Sequence, residues 1–507
     1  MLNNDLEIKE NQPYPQKFMK LRNTFHLLFL VLITLSLTLT LLNSCSDDIF
    51  STDPANTLSF STDTLSFDTV FTTLGSTTQK FIIYNKNNRA LNISSIALGG
   101  KGSSQFRINV DGSISADNQF SNIEIRAKDS LYVFVEVTVN PTSSNSPLII
   151  ADSVVFNTNG KIQNVRLEAY GQDVIMLKNK YILSDSVLTA EKPFLIYGYL
   201  AVDSAKTLTI SKGCKLYFHN NASLIVNGNL RAMGSFEEPI EIRGDRFDKM
   251  KFEFPIPYQY AAGQWGGIYL NWNRGNHLLQ NVNISSGYVG VYFSNEDRSQ
   301  LPNLEITNCR IQNFVYYGIV AQNGNMVVNN SEISNTGSFS LYLNGGKHMF
   351  YQSTIANYYN SNPGKPTTRD KNPAVMIMGL YRSAPMETGF YNCIIAGGFE
   401  TELSIATRFI EQIKGEFANS YIRRKNAYAY DQFKDIQWSA VKDTIFKHPW
   451  YNDTTNVYFD FTPDSVSPAR GIADPNIAKN FPKDLNGNNR MDDNAPDAGA
   501  YEWKPTK

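Results

Sequence analysis

Apolar and polar residues alternate in short runs along the early part of the chain: Thr64 to Phe71, Lys80 to Tyr84, Leu91 to Leu98, Leu131 to Val139 and Val165 to Ala169. A period of two sends successive side chains to opposite faces, the mark of strands with one buried face. Asn, Gly, Ser and Pro turns separate the runs at the spacing of a sandwich. The pattern predicts one β-sandwich over residues 57–172.

From residue 173 to 475 the pattern changes from alternation to recurrence. Asn281-Val282-Asn283-Ile284, Asn308-Cys309-Arg310-Ile311, Asn330-Ser331-Glu332-Ile333, Gln352-Ser353-Thr354-Ile355, Asn392-Cys393-Ile394-Ile395 and Asn419-Ser420-Tyr421-Ile422 share one frame, with their isoleucines 27, 22, 22, 40 and 27 residues apart. A short repeat with fixed amide and β-branched offsets indicates a solenoid whose coil is one repeat long. Further apolar strands, such as Gly290 to Phe293, Gly318 to Ala321, Leu341 to Leu343 and Val375 to Met378, follow several of the motifs, so each coil supplies more than one strand. The amides Asn281, Asn308, Asn330, Gln352, Asn392 and Asn419 are expected to form a ladder, each hydrogen-bonding its copies above and below. Cys309 and Cys393 share an offset three coils apart. At about 4.8 Å per coil that separation exceeds disulfide reach, so free, buried thiols are expected.

The chain begins differently. Lys17, Lys20 and Arg22 precede an uncharged apolar stretch from Phe25 to Leu42, which reads as a signal peptide over residues 1–44. Leu42-Asn43-Ser44-Cys45 resembles the lipobox of bacterial lipoproteins, although Asn43 is an unusual occupant of its position. The resemblance implies that Cys45 carries the lipid and becomes the mature N-terminus, and Met19 would make a more ordinary start than Met1. Ser46, Asp47 and Asp48 resemble the signal by which Bacteroidota send lipoproteins to the outer face of the outer membrane. Residues 45–56 are read as the lipidated terminus and a flexible linker.

Two further resemblances bear on the body. Residues 151–156 and 165–171 resemble the closing strands of Hydin-type bacterial immunoglobulin-like domains, usually spacers or binding modules. Leu208 to Gly213, Leu224 to Leu230, Glu238 to Ile242 and Gln264 to Ile268 resemble the opening coils of right-handed parallel β-helix proteins of bacterial surfaces. Ser467 to Gly471 and Pro496 to Glu502 resemble the closing segment of that group, placed over residues 476–507. The expected fold class is all-β: an immunoglobulin-like β-sandwich followed by a right-handed parallel β-helix solenoid.

Composition narrows the function. With 46 basic and 47 acidic residues the chain lacks the basic excess that a nucleic-acid partner requires. The cysteines and the five histidines, His26, His219, His277, His348 and His448, are isolated, so no metal site and no cofactor are expected. Asp484 to Asp492 begins like a calcium loop but has Asn489 where an EF-hand needs glycine and Ala495 where it needs a carboxylate. It is read instead as a turn covering the last coil. A polysaccharide lyase or glycoside hydrolase is the alternative function, with Lys347-His348 and Arg369-Asp370-Lys371 as base and carboxylate clamp, but no paired carboxylates declare themselves. The favoured reading is non-catalytic binding of a glycan or an envelope or host partner. Two insertions break the coil pattern, Arg246 to Gln264 and Asn357 to Pro373, and the first, with the adjoining Trp265, supplies the candidate recognition residues Phe252, Phe254, Tyr258, Tyr260 and Trp265.

Overall fold

The computed structural model describes residues 50–141, 147–250, 256–271, 274–295, 301–359, 370–378, 386–406, 413–439, 444–450, 459–492 and 495–505. Cys45, Phe252, Phe254, His26 and Arg369 therefore lie outside the described residues.

The first body is a sandwich of two five-stranded sheets. One runs in the order Ser59–Phe60, Gln79–Tyr84, Ser130–Val137, Phe106–Val110, Ser113–Ile114, and the other Thr64–Phe71, Lys161–Gln172, Leu148–Thr158, Leu91–Leu98, Gln119–Ile125. Alternation does what period two requires: Phe81, Ile83, Val133 and Val135 of one sheet and Ile93, Ile96, Phe156 and Leu167 of the other are all buried. Phe81 meets Phe156 edge to face across the interior, ring centroids 6.2 Å apart.

The second body is a parallel β-helix whose 25 strands run from Ile175–Ile182 to Gln437–Ser439. Its coils stack three parallel sheets. Sheet I includes Gly267–Leu270, Val289–Ser294, the start of Tyr317–Asn329, the start of Leu341–Tyr351, Val375–Ile377 and Leu403–Ile405. Sheet II holds the repeated motif: Ile240–Gly244, Val282–Ser285, Arg310–Phe314, Glu332–Thr336, Thr354–Asn357, Ile394–Gly397 and Tyr421–Arg423. Sheet III includes Asn229–Met233, Asn276–Gln280, Asn303–Thr307, Met386–Tyr391 and the later halves of the two long strands of sheet I.

The repeated isoleucines form one inward column. Ile242, Ile284, Ile311, Ile333, Ile355, Ile395 and Ile422 are in register and each is 0% exposed. Full burial of each such side chain contributes roughly 1.5–3 kcal/mol. From sheet III, Phe350, Phe390, Phe417 and Phe433 stack face to face down the same interior, with centroids 4.4, 5.2 and 4.5 Å apart.

The amide positions make the bend between sheets III and II. Asn281, Asn308, Asn330, Gln352, Asn392 and Asn419 all have φ between 45° and 55°. Asn is the non-glycine residue best suited to that left-handed conformation. As a hydrogen-bonded ladder the column is interrupted: Asn330 donates to Asn308 at 2.8 Å and Asn392 to Gln352 at 2.6 Å, while Asn281 turns aside to the Gly234 carbonyl at 3.1 Å. Immediately after the amides runs a second column, Cys214, Ile240, Val282, Cys309, Ser331, Ser353, Cys393 and Ser420. Its hydroxyls and thiols donate back to the carbonyl two residues earlier: Ser331 to Asn329 at 2.6 Å, Ser353 to Tyr351 at 2.9 Å, Cys309 to Thr307 and Cys393 to Tyr391 both at 3.3 Å. All three described cysteines thus sit in one column, free and buried, and burial raises Cys309 and Cys393 to about 12.

The C-terminal segment departs from expectation. Its Asp484 turn lies along the outer face of sheet II, beside central coils, instead of over the last coil. Arg310 donates to the Leu485 carbonyl at 2.8 Å, Asn330 to that of Lys483 at 3.0 Å, Gln352 to that of Asp497 at 3.0 Å and Asn392 to that of Asp474 at 3.0 Å. The reason is compositional: on that face Tyr358, Ile394, Ala396 and Tyr421 are apolar and pack with Phe461, Leu485, Ala498, Ala500 and Tyr501 of the segment. This strap is pinned by a buried pair, Arg490 Nη1 to Glu502 Oε1 at 2.6 Å, with Arg490 Nη2 on Asn330 Oδ1 at 2.5 Å. Burial outweighs the favourable effect of Arg490 and raises Glu502 to about 7.

Candidate functional site

Outward positions of sheet I align in columns. Ile225, Tyr269, Tyr292, Val320, Tyr342, Met376 and Ser404 form one of them. Tyr317 and Phe339 lie beside it, stacked with centroids 6.2 Å apart, and Phe339 is 5.6 Å from Tyr342. At the adjoining bend Tyr288 and Tyr316 stack at 5.9 Å, with Tyr316 half exposed. Tyr269 and Tyr292 are also 5.9 Å apart. The rings survive at partial exposure because each leans on its neighbour in the next coil. Desolvation, followed by the neighbouring tyrosines, raises Tyr342 above the ordinary phenol value. A polar edge follows: Ser294 and Tyr292 both donate to Gln322 Oε1, at 3.0 and 3.4 Å, and Asn344 continues the column with its Oδ1 unbonded. None of these outward positions carries a Lys, Arg, Asp or Glu.

The first insertion borders this stripe but is built differently from the expectation. Trp265 is a core residue: it is 0% exposed, stacks on Phe218 at 4.6 Å and donates from Nε1 to the Ser285 carbonyl at 2.7 Å. It cannot present a ring to a ligand, because the Gly266-Gly267-Ile268 strand that follows carries it into the interior. Tyr258 and Tyr260 occupy a short turn of 3-10 helix and are partly exposed. The guanidinium of Arg246 lies 3.6 Å above the Tyr258 ring, so one face is already covered. Ser286 donates to the Gln259 carbonyl at 2.7 Å, and Gln264 to those of Tyr258 and Ala261, tying the turn to the coil. The stripe itself went unread because tyrosines more than twenty residues apart meet only once the register is known.

A second concavity, of about 220 Å³, lies where the strap meets the bend amides, and its walls include Phe236, Asn281, Asn283, Asn308, Arg310 and Asn486.

Of the candidate catalytic groups, the described pair Lys347 and His348 faces opposite ways. His348 is 0% exposed, bonded through Nε2 to the Gly345 carbonyl at 2.7 Å, and burial lowers it to about 4. Strand alternation turns it inward while Lys347 points out to Glu387 at 2.7 Å. Asp484 accepts from the backbone N–H groups of Asn486, Asn488 and Glu502 at 2.7 to 2.9 Å, which makes it a turn acceptor. Among the described residues no cluster of three His, Cys, Asp or Glu side chains could hold a metal, and no helix is long and apolar enough to cross a membrane.

No family model matches the chain, and no curated protein does. Among solved structures, partial likenesses fall on a family 123 glycoside hydrolase from Clostridium perfringens, at 8% identity over 25% of this chain and 30% of that one, TM-score 0.18. Another is the VesB protease of Vibrio cholerae, at 14% identity over 23% and 32%, TM-score 0.16. A third is a PapD-like domain of human CEP192, at 12% identity over 26% and 94%, TM-score 0.16. The chain spans about a third of the length of the first two.

Proposed function

We propose that this protein is a bacterial lipoprotein, anchored through Cys45 at the outer face of an outer membrane, that binds an extended glycan along the flank of its β-helix without transforming it. The observation that carries the binding is the stripe of Tyr269, Tyr292, Tyr317, Phe339 and Tyr342, partly exposed rings on adjacent coils with amide and hydroxyl groups along one edge. Aromatic faces offer apolar contact at low entropic cost, and amides fix orientation. An aromatic face this extended on the outside of a coil stack marks an interaction surface. The absence of acidic and basic side chains from the stripe favours a neutral polysaccharide over a uronate or a nucleic acid.

Two experiments test this. A glycan array probed with the detergent-solubilised chain should return neutral polysaccharides, and Tyr292→Ala with Tyr342→Ala should weaken the best of them about tenfold or more at unchanged melting temperature. Undiminished binding by that double variant would remove the stripe from consideration. Cys45→Ala should release the protein from membranes; unchanged fractionation with unchanged mass would overturn the anchor.

A further inference from the structure

Two places in the column of bend amides lack a side-chain bond to the next coil or to the strap, Asn419 and the step from Asn281 to Asn308, and the second of these lies at the cleft. Between Asn330 and Gln352 the strap intervenes: the carbonyls of Lys483, Asp497 and Gly499 take the amide protons and Arg490 donates to Asn330 Oδ1. At Asn392 the backbone of Asp474 both donates to Oδ1, at 2.8 Å, and accepts from Nδ2. Between Asn281 and Asn308 nothing intervenes. They are in register on consecutive coils, yet no hydrogen bond joins them: Asn281 donates to Gly234 and Asn308 only accepts, from Asn330. Within the described residues the side-chain Oδ1 of Asn281, Nδ2 of Asn308 and both side-chain polar atoms of Asn283 have no hydrogen-bond partner in the protein. All face the cleft of about 220 Å³, whose opposite wall is Asn486 of the strap.

One wall is apolar. Phe236 is 46% exposed, and the strap passes it at Gly487, where a β-carbon would come within 2.7 Å of the ring. With φ at 84°, only glycine suits this position on both counts. The charge of Arg310 is already answered: Nε bonds Tyr501 Oη at 3.3 Å, that hydroxyl donates to the Glu332 carboxylate, and Nη2 is held by Leu485 and Asn486.

We infer that this cleft is a second binding site, distinct from the sheet I stripe, which takes a single neutral sugar residue by its hydroxyls. Paired donors and acceptors at fixed spacing suit vicinal hydroxyls, which both give and accept hydrogen bonds. Phe236 supplies the apolar platform for a C–H face of the ring. The volume is below that of a drug-sized pocket and matches one ring, not a chain. Arg310 has its Nε and Nη2 donors already engaged within the wall, and Lys483 Nζ, 5.9 Å from the Phe236 ring centroid, is the cation a charged sugar would meet, which is why glucuronate is the control.

The test is saturation-transfer NMR on the detergent-solubilised chain with the methyl glycosides of glucose, galactose, mannose and N-acetylglucosamine, and with glucuronate as the charged control. At least one neutral glycoside should be saturated. Its signal should fall about tenfold in Phe236→Ala and in Asn283→Ala, and stay unchanged in the stripe variant Tyr292→Ala/Tyr342→Ala. Phe236 and Asn283 are on the surface, so melting temperatures within error of the parent are expected and show that any loss is local. Saturation by none of the neutral glycosides, saturation by glucuronate alone, or loss in the stripe variant instead of the cleft variants would each overturn the assignment. An array result that fails while the cleft still binds would sink the stripe and leave this site standing.

Discussion

At Asn392 a single side chain does three things: it holds a left-handed bend, bonds Gln352 in the coil below, and clasps both backbone groups of Asp474. Asn392→Ala should therefore cost about 3 kcal/mol in urea denaturation, and Asn392→Gly about 1 kcal/mol less, because glycine restores the bend but none of the bonds. Equal losses would mean that the backbone conformation carries no cost. The spacing of amides and isoleucines made this column legible from sequence. It did not reveal that conformation, more than ladder bonding, is what selects Asn there. The cysteines follow the same logic. Ser331, Ser353 and Ser420 make the bonds that Cys309 and Cys393 make, so Cys393→Ser should cost under about 1.5 kcal/mol. A thiol reagent should modify the parent protein no faster than it unfolds.

Among the elements, the strap was the least legible. Ser467 to Gly471 and Pro496 to Glu502 could be recognised as a closing segment, but what they close depends on long-range partners that no local pattern encodes. Arg490 is fully buried against Glu502 and Asn330. Arg490→Met should cost about 3–5 kcal/mol, since it leaves a buried carboxylate alone, and adding Glu502→Gln should recover part of that loss. A double variant no more stable than the single one would show the pair to be incidental. The aromatic content of Arg246 to Gln264 and Trp265 is visible in the sequence, but their burial is set by long-range register that no local pattern encodes. Trp265 turned out to be a core residue, while the coil tyrosines it precedes form the open face.

For the molecule as a whole, two buried histidines contribute to the pH dependence of stability. Burial lowers His277 and His348 to about 4, below their ordinary 6.5. The unfolded chain then binds more protons than the folded one between those values, so each contributes on the order of 3 kcal/mol that is present at pH 7 and is lost as pH falls from about 6.5 to 4. Glu502, raised to about 7, works in the opposite direction over part of that range, protonating more readily in the folded state. Glu332 and Asp68, also raised by burial, oppose the histidines in the same way, so the prediction is the difference between variants: His348→Gln should lose less stability than the parent as pH falls from about 6.5 to 4, and an identical slope would place the sensitivity elsewhere. The strap bears on cooperativity as well. Coils that touch only their neighbours gain stability additively and fray from either end, like a column of separate discs. Here the strap bonds coils at Arg310, Asn330, Gln352 and Asn392. It acts as a tie rod: opening one coil loads all the others it passes, and what would be a zipper melts as a single block.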